Sequence, residues 1–311
     1  MGVIFTAAGY LILSRSGYKN SRVYQGIMEM LARFDYLSIE EVMYAFELPL
    51  MQAVHRLDYL ENRCGLIKRF SSHTRPKDFF YLTAGGRQVV RDFQISDYVS
   101  EFVPSSYAIA YQAHRRAIIK SYAALKILFG DKLLNWKNER QLQALEEYRQ
   151  RQEYGHQHKR ILDGECSLMI RQDRFTRDPD GNLQPLREEA LWVEWRTGVE
   201  VELTAKSPRR YEDQFNELRH LVYDRWDKKQ ICNLVIFFYS TRTIHDHLVR
   251  EIQSGRHDFG NCLFYVVPID AFLKNPAEAA VEVYVGENSR TITGKDMGAV
   301  RVLVTNGGAG V

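Results

Sequence analysis

Polar and apolar residues alternate along a predicted strand in the second half of the chain. Every second residue from position 200 to 206 is polar, including Glu200, Glu202 and Lys206, and the residues between them are apolar. Because successive side chains of a strand point to opposite faces, the two acids and the lysine are predicted to share one face. Asp163, which precedes Gly164, is predicted to end an earlier apolar strand and to add a third carboxylate to that surface.

Carboxylate oxygens grouped in this way are the ligands that Mg²⁺ and Mn²⁺ prefer. A neighbouring lysine can orient or activate a nucleophile, or offset the charge of a scissile phosphate. The pattern therefore predicts metal-dependent phosphodiester cleavage, with Asp163, Glu200 and Glu202 as metal ligands and Lys206 beside them. The alternative interpretation is a solvated strand face whose charges form cross-strand ion pairs.

The nucleophile is open between metal-activated water and a tyrosine. Tyr211 could form a phosphotyrosyl link, but its spacing from Phe215 and Leu218 places it on the inner side of a predicted helix, so packing is expected for it. His245 and His247 lie two apart on another predicted helix, do not share a face, and are expected to be solvated.

Strands and helices alternate through this half of the chain, which indicates a mixed α/β sheet, since parallel crossovers need helices of this length. A turn-rich loop is expected at residues 173–189. Helices are predicted at residues 114–129, 209–225 and 244–252, and strands at 161–163, 199–203, 231–239, 263–267, 281–285 and 301–304.

Three short helices are predicted in the first half. Apolar residues at positions 23, 27, 30, 31 and 34 form one stripe of a first amphipathic helix. Ser38 begins Ser-Ile-Glu-Glu, a capping box with Glu41 that opens a second helix ending near residue 46. Pro49 opens a third helix, in which Leu50, Val54, Leu57 and Leu60 are expected to face inward.

A hairpin is predicted after the third helix. Gly65 ends that helix, and residues 66–70 and 79–82 read as strands joined by a polar, basic loop at 71–78. Helix, helix, helix and hairpin is the order of a winged helix-turn-helix domain. A second face of the third helix and the loop supply the predicted DNA-binding residues, which are Gln52, His55, Arg56, Tyr59, Arg63, Arg75 and Lys77.

Basic residues cluster in this region although the net charge of the chain is only +3. Between Pro49 and Arg91 there are eight lysines and arginines against three acids. Clustered positive charge is what phosphate contacts from a groove-docked helix and its wing require. The alternative is a protein-binding winged helix whose charges form an ordinary solvated face.

Length and composition set the wider frame. The 311 residues, 45% of them hydrophobic, suffice for two domains with separate cores. We expect a winged-helix domain with an apolar amino-terminal arm at residues 1–95, a linker at 96–106 and a second domain at 107–311. The arm is too short to span a bilayer, and four dispersed cysteines without a CxxC pair argue against a zinc ribbon or a disulfide-stapled fold. A cytoplasmic protein with no membrane partner is expected.

Several segments together resemble a known family. These segments are 136–139 (Trp-Lys-Asn-Glu), Asp163-Gly164, 200–207 (Glu-Val-Glu-Leu-Thr-Ala-Lys-Ser), Arg210-Tyr211 and, in the hairpin, 81–85 (Tyr-Leu-Thr-Ala-Gly). Together they look like the pattern of MOBC-type plasmid relaxases and the related replication-relaxation proteins. The resemblance covers roughly residues 21–239. The sequence departs from the family pattern in having Leu162 before Asp163 and in placing Lys206 four residues after Glu202 instead of two.

This resemblance implies a fold class of α+β, with the winged helix followed by a restriction-endonuclease-like domain of the PD-(D/E)XK kind. It implies a relaxase or nickase that acts at a plasmid transfer origin on double- and single-stranded DNA, with a coupling protein and an accessory mobilisation protein as partners. Asp163, Glu202 and Lys206 would form the core triad, with Glu139 and Glu200 as supporting acids. One alternative is a non-catalytic plasmid replication or transcription regulator with a degenerate nuclease fold. Another is a restriction-like or repair nuclease without transfer function, whose cleavage would need no particular origin.

Overall fold

The protein is described by a computed structural model that covers residues 18–72, 75–96, 98–101, 112–152, 161–177, 183–185, 191–224, 229–285, 288–305 and 308–310. Its contacts divide the chain into two compact units, Met1–Ala123 and Ala124–Val311. The fold is α+β, with a helical amino-terminal region and a large mixed sheet in the second unit, as expected from the sequence. The predicted amino-terminal arm and residues 97 and 102–106 of the predicted linker lie outside the described residues.

The first unit packs short helices around a three-stranded sheet whose strand order is β1-β3-β2, with antiparallel neighbours. The predicted order of three helices and a hairpin is confirmed, but the strands continue into most of the segment expected to be a loop. Strand β1 and helix α4 were not predicted. The elements are α1 (Tyr18–Phe34), β1 (Tyr36–Ser38), α2 (Ile39–Ala45), α3 (Leu50–Asp58), a π-helical turn (Tyr59–Arg63), β2 (Ile67–Ser72), β3 (Arg75–Leu82) and α4 (Ala84–Asp92).

Local signals set the ends of these helices. The Ser38 amide donates to Glu41 Oε2 at 2.6 Å and the Glu41 amide donates to Ser38 Oγ at 3.4 Å, which is the predicted capping box. Pro49 is the N-cap of α3, and Gly65 follows the π-helical turn with φ +66°, a left-handed conformation that favours glycine. These three sequence predictions are confirmed.

The buried face of α3 differs from the predicted one at its beginning. Ala53, Leu57 and Leu60 are buried, but Leu50 is 52% exposed and Met51 is 75% exposed. The inward assignment of Leu50 is therefore wrong. The spacing of apolar residues predicts the direction in which a helix side chain points. Burial also requires a neighbouring element that packs on that turn, and the spacing does not show whether one is present.

Helix α5 (Gln112–Phe129) crosses the boundary between the two units. Its first half contacts the first unit: the Arg115 guanidinium lies 3.4 Å from the centroid of the Tyr36 ring, and the Tyr122 ring lies 5.2 Å from that of Phe34. This segment was predicted to belong to the second domain. Its contacts place residues 112–123 with the first unit instead.

The second unit is built on a large mixed sheet with the order β13-β12-β11-β10-β7-β5-β14-β15, and β4 and β6 pair with β5. The sheet and its helices are β4 (Leu133–Asn138), α6 (Glu139–Gln152), β5 (Gly164–Arg177), β6 (Leu183–Pro185), β7 (Leu191–Glu202), α7 (Pro208–Val222), β10 (Leu234–Tyr239), α8 (Arg242–Gln253), β11 (Leu263–Pro268), α9 (Ile269–Lys274), β12 (Ala280–Val285), β13 (Asn288–Thr293), β14 (Ala299–Thr305) and β15 (Gly308–Gly310). Two short strands, β8 (Tyr223–Asp224) and β9 (Lys229–Gln230), form a separate ribbon after α7.

Two types of strand pairing meet at β7. Strand β5 is antiparallel to both β4 and β7, whereas β7, β10 and β11 are parallel and are connected through α7 and α8. Tyr211 and Phe215 of α7 pack with Phe237 and Phe264 of the sheet in one buried cluster. The carboxyl ends of β7, β10 and β11 therefore lie at one edge of the sheet, beside the beginning of β5.

Candidate functional site

Strand pairing brings Glu139 and Asp163 to the same edge of the sheet. Gly164, the first residue of β5, pairs with Asn138, the last residue of β4. Asp163 immediately precedes β5 and Glu139 immediately follows β4, so both lie where these antiparallel strands meet the edge. Residues 161–163 are not a strand, and the prediction that Asp163 ends one is wrong; it stands before a strand instead.

Asp163 also contacts β7 directly. Gly164 pairs with Val199 of β7, so the next position along these antiparallel strands places Asp163 opposite Glu200. The Val201 amide donates a hydrogen bond of 2.7 Å to Asp163 Oδ2. This bond fixes the half-buried Asp163 carboxylate against the backbone that joins Glu200 and Val201.

Glu200 and Glu202 point toward the layer of α7 and α8. Glu200 pairs with Phe237 and Glu202 with Tyr239 of β10, and paired residues share a face of the sheet. The two glutamates are only 3% and 4% exposed. The predicted shared face is confirmed for Glu200 and Glu202, but it is a buried face, which argues against the solvated interpretation.

Lys206 reaches this face from a loop. Strand β7 ends at Glu202, so the predicted strand alternation does not continue to Lys206. The lysine instead folds back, and its Nζ lies 2.6 Å from Glu202 Oε1 and 2.9 Å from Gln214 Oε1 of α7. Gln214 Nε2 donates to the same Glu202 oxygen at 2.7 Å. Glu202, Lys206 and Gln214 thus form a closed triangle of polar contacts, which we call the Glu202 triangle.

Tyr211 lies under this triangle and is fully buried. Burial raises the pKa of Tyr211, the backbone of Lys206 opposes that shift, and the charge of Glu202 adds to it. The ring of Tyr211 stacks on His247 with centroids 5.0 Å apart. The prediction that Tyr211 packs in the core is confirmed, and a raised pKa disfavours its phenolate as a nucleophile.

The four acids are placed at the same edge of the sheet by the strand order, but their side chains differ in exposure. Glu139 is exposed and Asp163 is half-buried, whereas Glu200 and Glu202 are buried. Within the described residues, no group of three or more His, Cys, Asp or Glu side chains is arranged to hold a metal ion. The donor set matches the hard oxygen ligands of Mg²⁺ or Mn²⁺, but its present geometry does not close around an ion.

The predicted DNA-reading residues of α3 and of the π-helical turn after it fall into two groups. Gln52, His55 and Arg63 are exposed. Arg56 and Tyr59 are half-buried against Tyr24 of α1, with the Arg56 guanidinium 5.3 Å from the Tyr24 ring and the two tyrosine rings 5.4 Å apart. The first group is available to a partner, and the second holds α3 against α1.

Much of the predicted basic excess is neutralised by neighbouring acids. Arg69 pairs with Asp58 at 2.8 Å and with Glu61 at 3.2 Å. Arg87 and Arg91 both contact Glu101. Exposed positive charge remains at Arg63 and Lys68, while the side chains of Arg75 and Lys77 lie outside the described residues.

Sequence reasoning missed a buried histidine at the same edge. His245 is 4% exposed, with Nδ1 2.9 Å from Asp246 Oδ1 and Nε2 3.0 Å from Glu282 Oε2. The expectation that it is solvated is wrong. Glu282 lies on β12, far away in sequence, so local spacing contained no sign of this contact.

Comparison with protein-family models gives no match, and neither does comparison with curated proteins. A crystal structure of a MarR family transcriptional regulator from Streptomyces coelicolor in complex with DNA aligns with part of the chain, at 20% sequence identity and a TM-score of 0.23. The alignment covers 29% of this chain and 57% of the regulator chain. At that TM-score the likeness does not define a fold. No helix within the described residues is long and apolar enough to cross a membrane.

Proposed function

We propose that this protein is a DNA relaxase or nickase, in which a winged-helix first unit binds duplex DNA and the sheet edge of the second unit cleaves one strand. The observation that carries the proposal is the Asp163 contact to β7 beside the buried Glu200 and the Glu202 triangle. Asp163 lies against the part of β7 that carries Glu200 and Glu202, and Lys206 contacts Glu202. Burying such groups at a sheet edge costs stability, which favours a role in chemistry over a structural one.

The carboxylates of Asp163, Glu200 and Glu202 would hold Mg²⁺ or Mn²⁺ at this edge. Such an ion lowers the pKa of a bound water and offsets charge on a phosphate. Glu202 would become a ligand by exchanging its contact with Lys206, which frees the lysine ammonium for the scissile phosphate. Gln214 would keep the Glu202 carboxylate oriented during that exchange.

Water is the better candidate nucleophile. Tyr211 lies beside the triangle, with its ring centroid 6.0 Å from Lys206 Nζ, but its ring is fully buried and burial raises the pKa of its hydroxyl. A buried phenol that is hard to ionise is a poor attacking group at neutral pH.

The first unit would bind DNA through α3 and the hairpin. Gln52, His55 and Arg63 form the exposed set that can reach base edges and phosphates in the major groove. Met51, which sequence reasoning overlooked, adds an exposed apolar contact of the kind that meets a thymine methyl group. A transfer origin as target, and a coupling protein and an accessory mobilisation protein as partners, follow from the resemblance to MOBC-type relaxases and are part of the proposal.

A second candidate function is a non-catalytic plasmid replication or transcription regulator. It is favoured by the closed contact of Lys206 with Glu202 and by the lack of a three-residue metal cluster in the described part of the chain. In that case the edge would be a degenerate site and the second unit would serve dimerisation or partner docking.

Nicking of supercoiled plasmid that carries a candidate origin, with Mg²⁺ or Mn²⁺ present, separates the two candidates. We expect the parent protein to nick, and Asp163→Asn and Glu202→Gln each to reduce nicking to below about 1% of the parent rate while duplex binding is kept. The matched control is Glu194→Gln, because Glu194 is an exposed acid on the same strand. Nicking that survives both site substitutions would overturn the assigned site. Binding without nicking on any origin-bearing plasmid would favour the regulator.

A further inference from the structure

A cavity of about 300 Å³ opens in the second unit, away from the acidic edge. It lies between the end of α5, the beginning of β7 and the short 3-10 turn Gly294–Asp296. Trp192 stands on β7 ten residues before Glu202, and a strand rises about 3.3 Å per residue, so the cavity is roughly 33 Å from the Glu202 triangle. It is a separate site.

An exposed tryptophan lines this cavity. Trp192 is 43% exposed, and it pairs across the sheet with Arg171 of β5, so the two side chains share a face. The Lys132 ammonium lies 3.8 Å from the centroid of the Trp192 ring. An aromatic ring held in place by a strand and a cation, with much of its surface open to solvent, is a platform for stacking a planar group.

Positive charge surrounds this platform. Lys132, Arg171 and Lys295 line the cavity together with one acid, Asp296. Arg171 also contacts Asp173 at 3.0 Å and Lys295 contacts Glu278 at 3.4 Å, but both pairs are exposed and exposed pairs exchange easily with a ligand anion.

Asp296 is already engaged within its own turn. It accepts a hydrogen bond of 2.5 Å from the Thr293 hydroxyl, and that bond is the main reason that the pKa of Asp296 is lowered. The cavity therefore combines a stacking surface with a net excess of cations over acids.

We propose that this cavity binds one nucleotide, with the base stacked on Trp192 and the phosphate held by Lys132, Arg171 and Lys295. Its volume is at the lower end of the range of small-molecule sites, about 300–1,000 Å³. The nucleotide can be free or part of a single strand of nucleic acid, because both present a planar base beside a phosphate. The inference does not depend on cleavage at the acidic edge.

Fluorescence anisotropy of a labelled short oligodeoxythymidylate, with the full chain and no added metal, tests the site. Trp192→Ala should weaken binding at least about tenfold, and Trp192→Phe should restore most of it, since stacking on an aromatic ring is not specific to tryptophan. Arg171→Gln should lower the slope of affinity against salt concentration, because one phosphate contact is lost. Leu191→Ala is the matched control, since Leu191 is an exposed apolar residue on the opposite face of β7.

Competition with the mononucleotide dTMP identifies the source of the ligand. Displacement of the oligonucleotide by dTMP at similar concentration supports a site for free nucleotides, and displacement by oligonucleotides alone supports a strand-binding site. The proposal is overturned if neither ligand binds, if Trp192→Ala leaves both affinities unchanged, or if Leu191→Ala weakens binding as much. This assay measures binding without added metal, whereas the plasmid assay measures nicking, so a failure of the cleavage proposal is seen separately.

Discussion

At the residue scale, exposure decides which side chains of α3 can read DNA. Arg56 falls on the sequence-predicted reading face, yet it lies half-buried over the Tyr24 ring. Cation–π contacts of this kind stabilise packing between helices. Gln52, one turn earlier, and His55, the preceding residue, are exposed and present the polar groups that direct readout requires.

Gln52→Ala and Arg56→Ala are therefore expected to fail in different ways. Gln52→Ala should lower discrimination between the preferred duplex and a single-base variant by about 1–3 kcal/mol with no change in unfolding free energy. Arg56→Ala should lower the unfolding free energy by about 1 kcal/mol, because it removes the contact with Tyr24. Competitive gel-shift assays and urea unfolding measure the two quantities.

Gln88→Ala is the control for these two substitutions, since it removes an exposed glutamine from α4. It should leave base preference unchanged. A change in base preference caused by Arg56→Ala at unaltered stability would contradict the structural role given to Arg56 and would restore it to the reading face.

At the scale of elements, the capping box of α2 links a buried acid to stability. Burial raises the pKa of Glu41, although bonds from Ser38 and the charges of Arg115 and Arg116 oppose the shift. Above the ordinary pKa of glutamate, the unfolded state has released the proton of the Glu41 carboxyl, whereas the folded state still holds it. Stability falls as the pH rises from that value to the folded pKa.

Glu41→Gln should remove this loss and keep the cap, because a glutamine oxygen can still accept from the Ser38 amide. We expect the variant and the parent to be similar in stability near about pH 4 and the variant to be more stable near about pH 8. Urea unfolding across that range is the measurement, and Glu40→Gln, an exposed neighbour, is the control. If Glu41→Gln instead lowers the free energy of unfolding by the same amount at every pH, the prediction is wrong, and the folded protein favours the carboxylate form of Glu41.

Elements that depend on local signals were predictable from the sequence. Helix α7 is an example, because Tyr211, Phe215, Leu218 and Val222 repeat at helical spacing and all four are buried. The Ser38 capping box is another, since both of its partners lie within four residues. Local spacing carries the information for such features.

The pairing of distant segments was not predictable. Strand β4 and helix α6 were missed, and Asp163 was assigned to the wrong side of a strand. The sequence singled out Glu139, Asp163, Glu200 and Glu202, but only the register of β4, β5 and β7 shows that they reach one edge. A shift of one residue in the pairing of β7 would turn Glu200 and Glu202 to the other face of the sheet.

At the scale of the whole molecule, the boundary between units falls inside a helix. Sequence composition suggested a second domain from residue 107, yet Arg115 donates to the Tyr36 carbonyl at 3.0 Å and Tyr122 packs on Phe34. Tyr122 is only 4% exposed. The first half of α5 is thus part of the packing of the first unit. The helix itself was predicted, but the unit with which it packs depends on contacts between distant residues, which composition does not show.

A fragment of residues 1–129 should therefore be more stable than one of residues 1–106. The shorter fragment lacks the Tyr122 ring and the Arg115 contacts, and losing a buried aromatic side chain alone costs about 3–5 kcal/mol. We expect a cooperative thermal transition for the longer fragment and a transition at much lower temperature, or none, for the shorter one. Tyr122→Ala in the longer fragment should reproduce part of the loss. Equal melting temperatures for the two fragments would mean that the first unit ends before α5 and that these contacts contribute nothing to its stability.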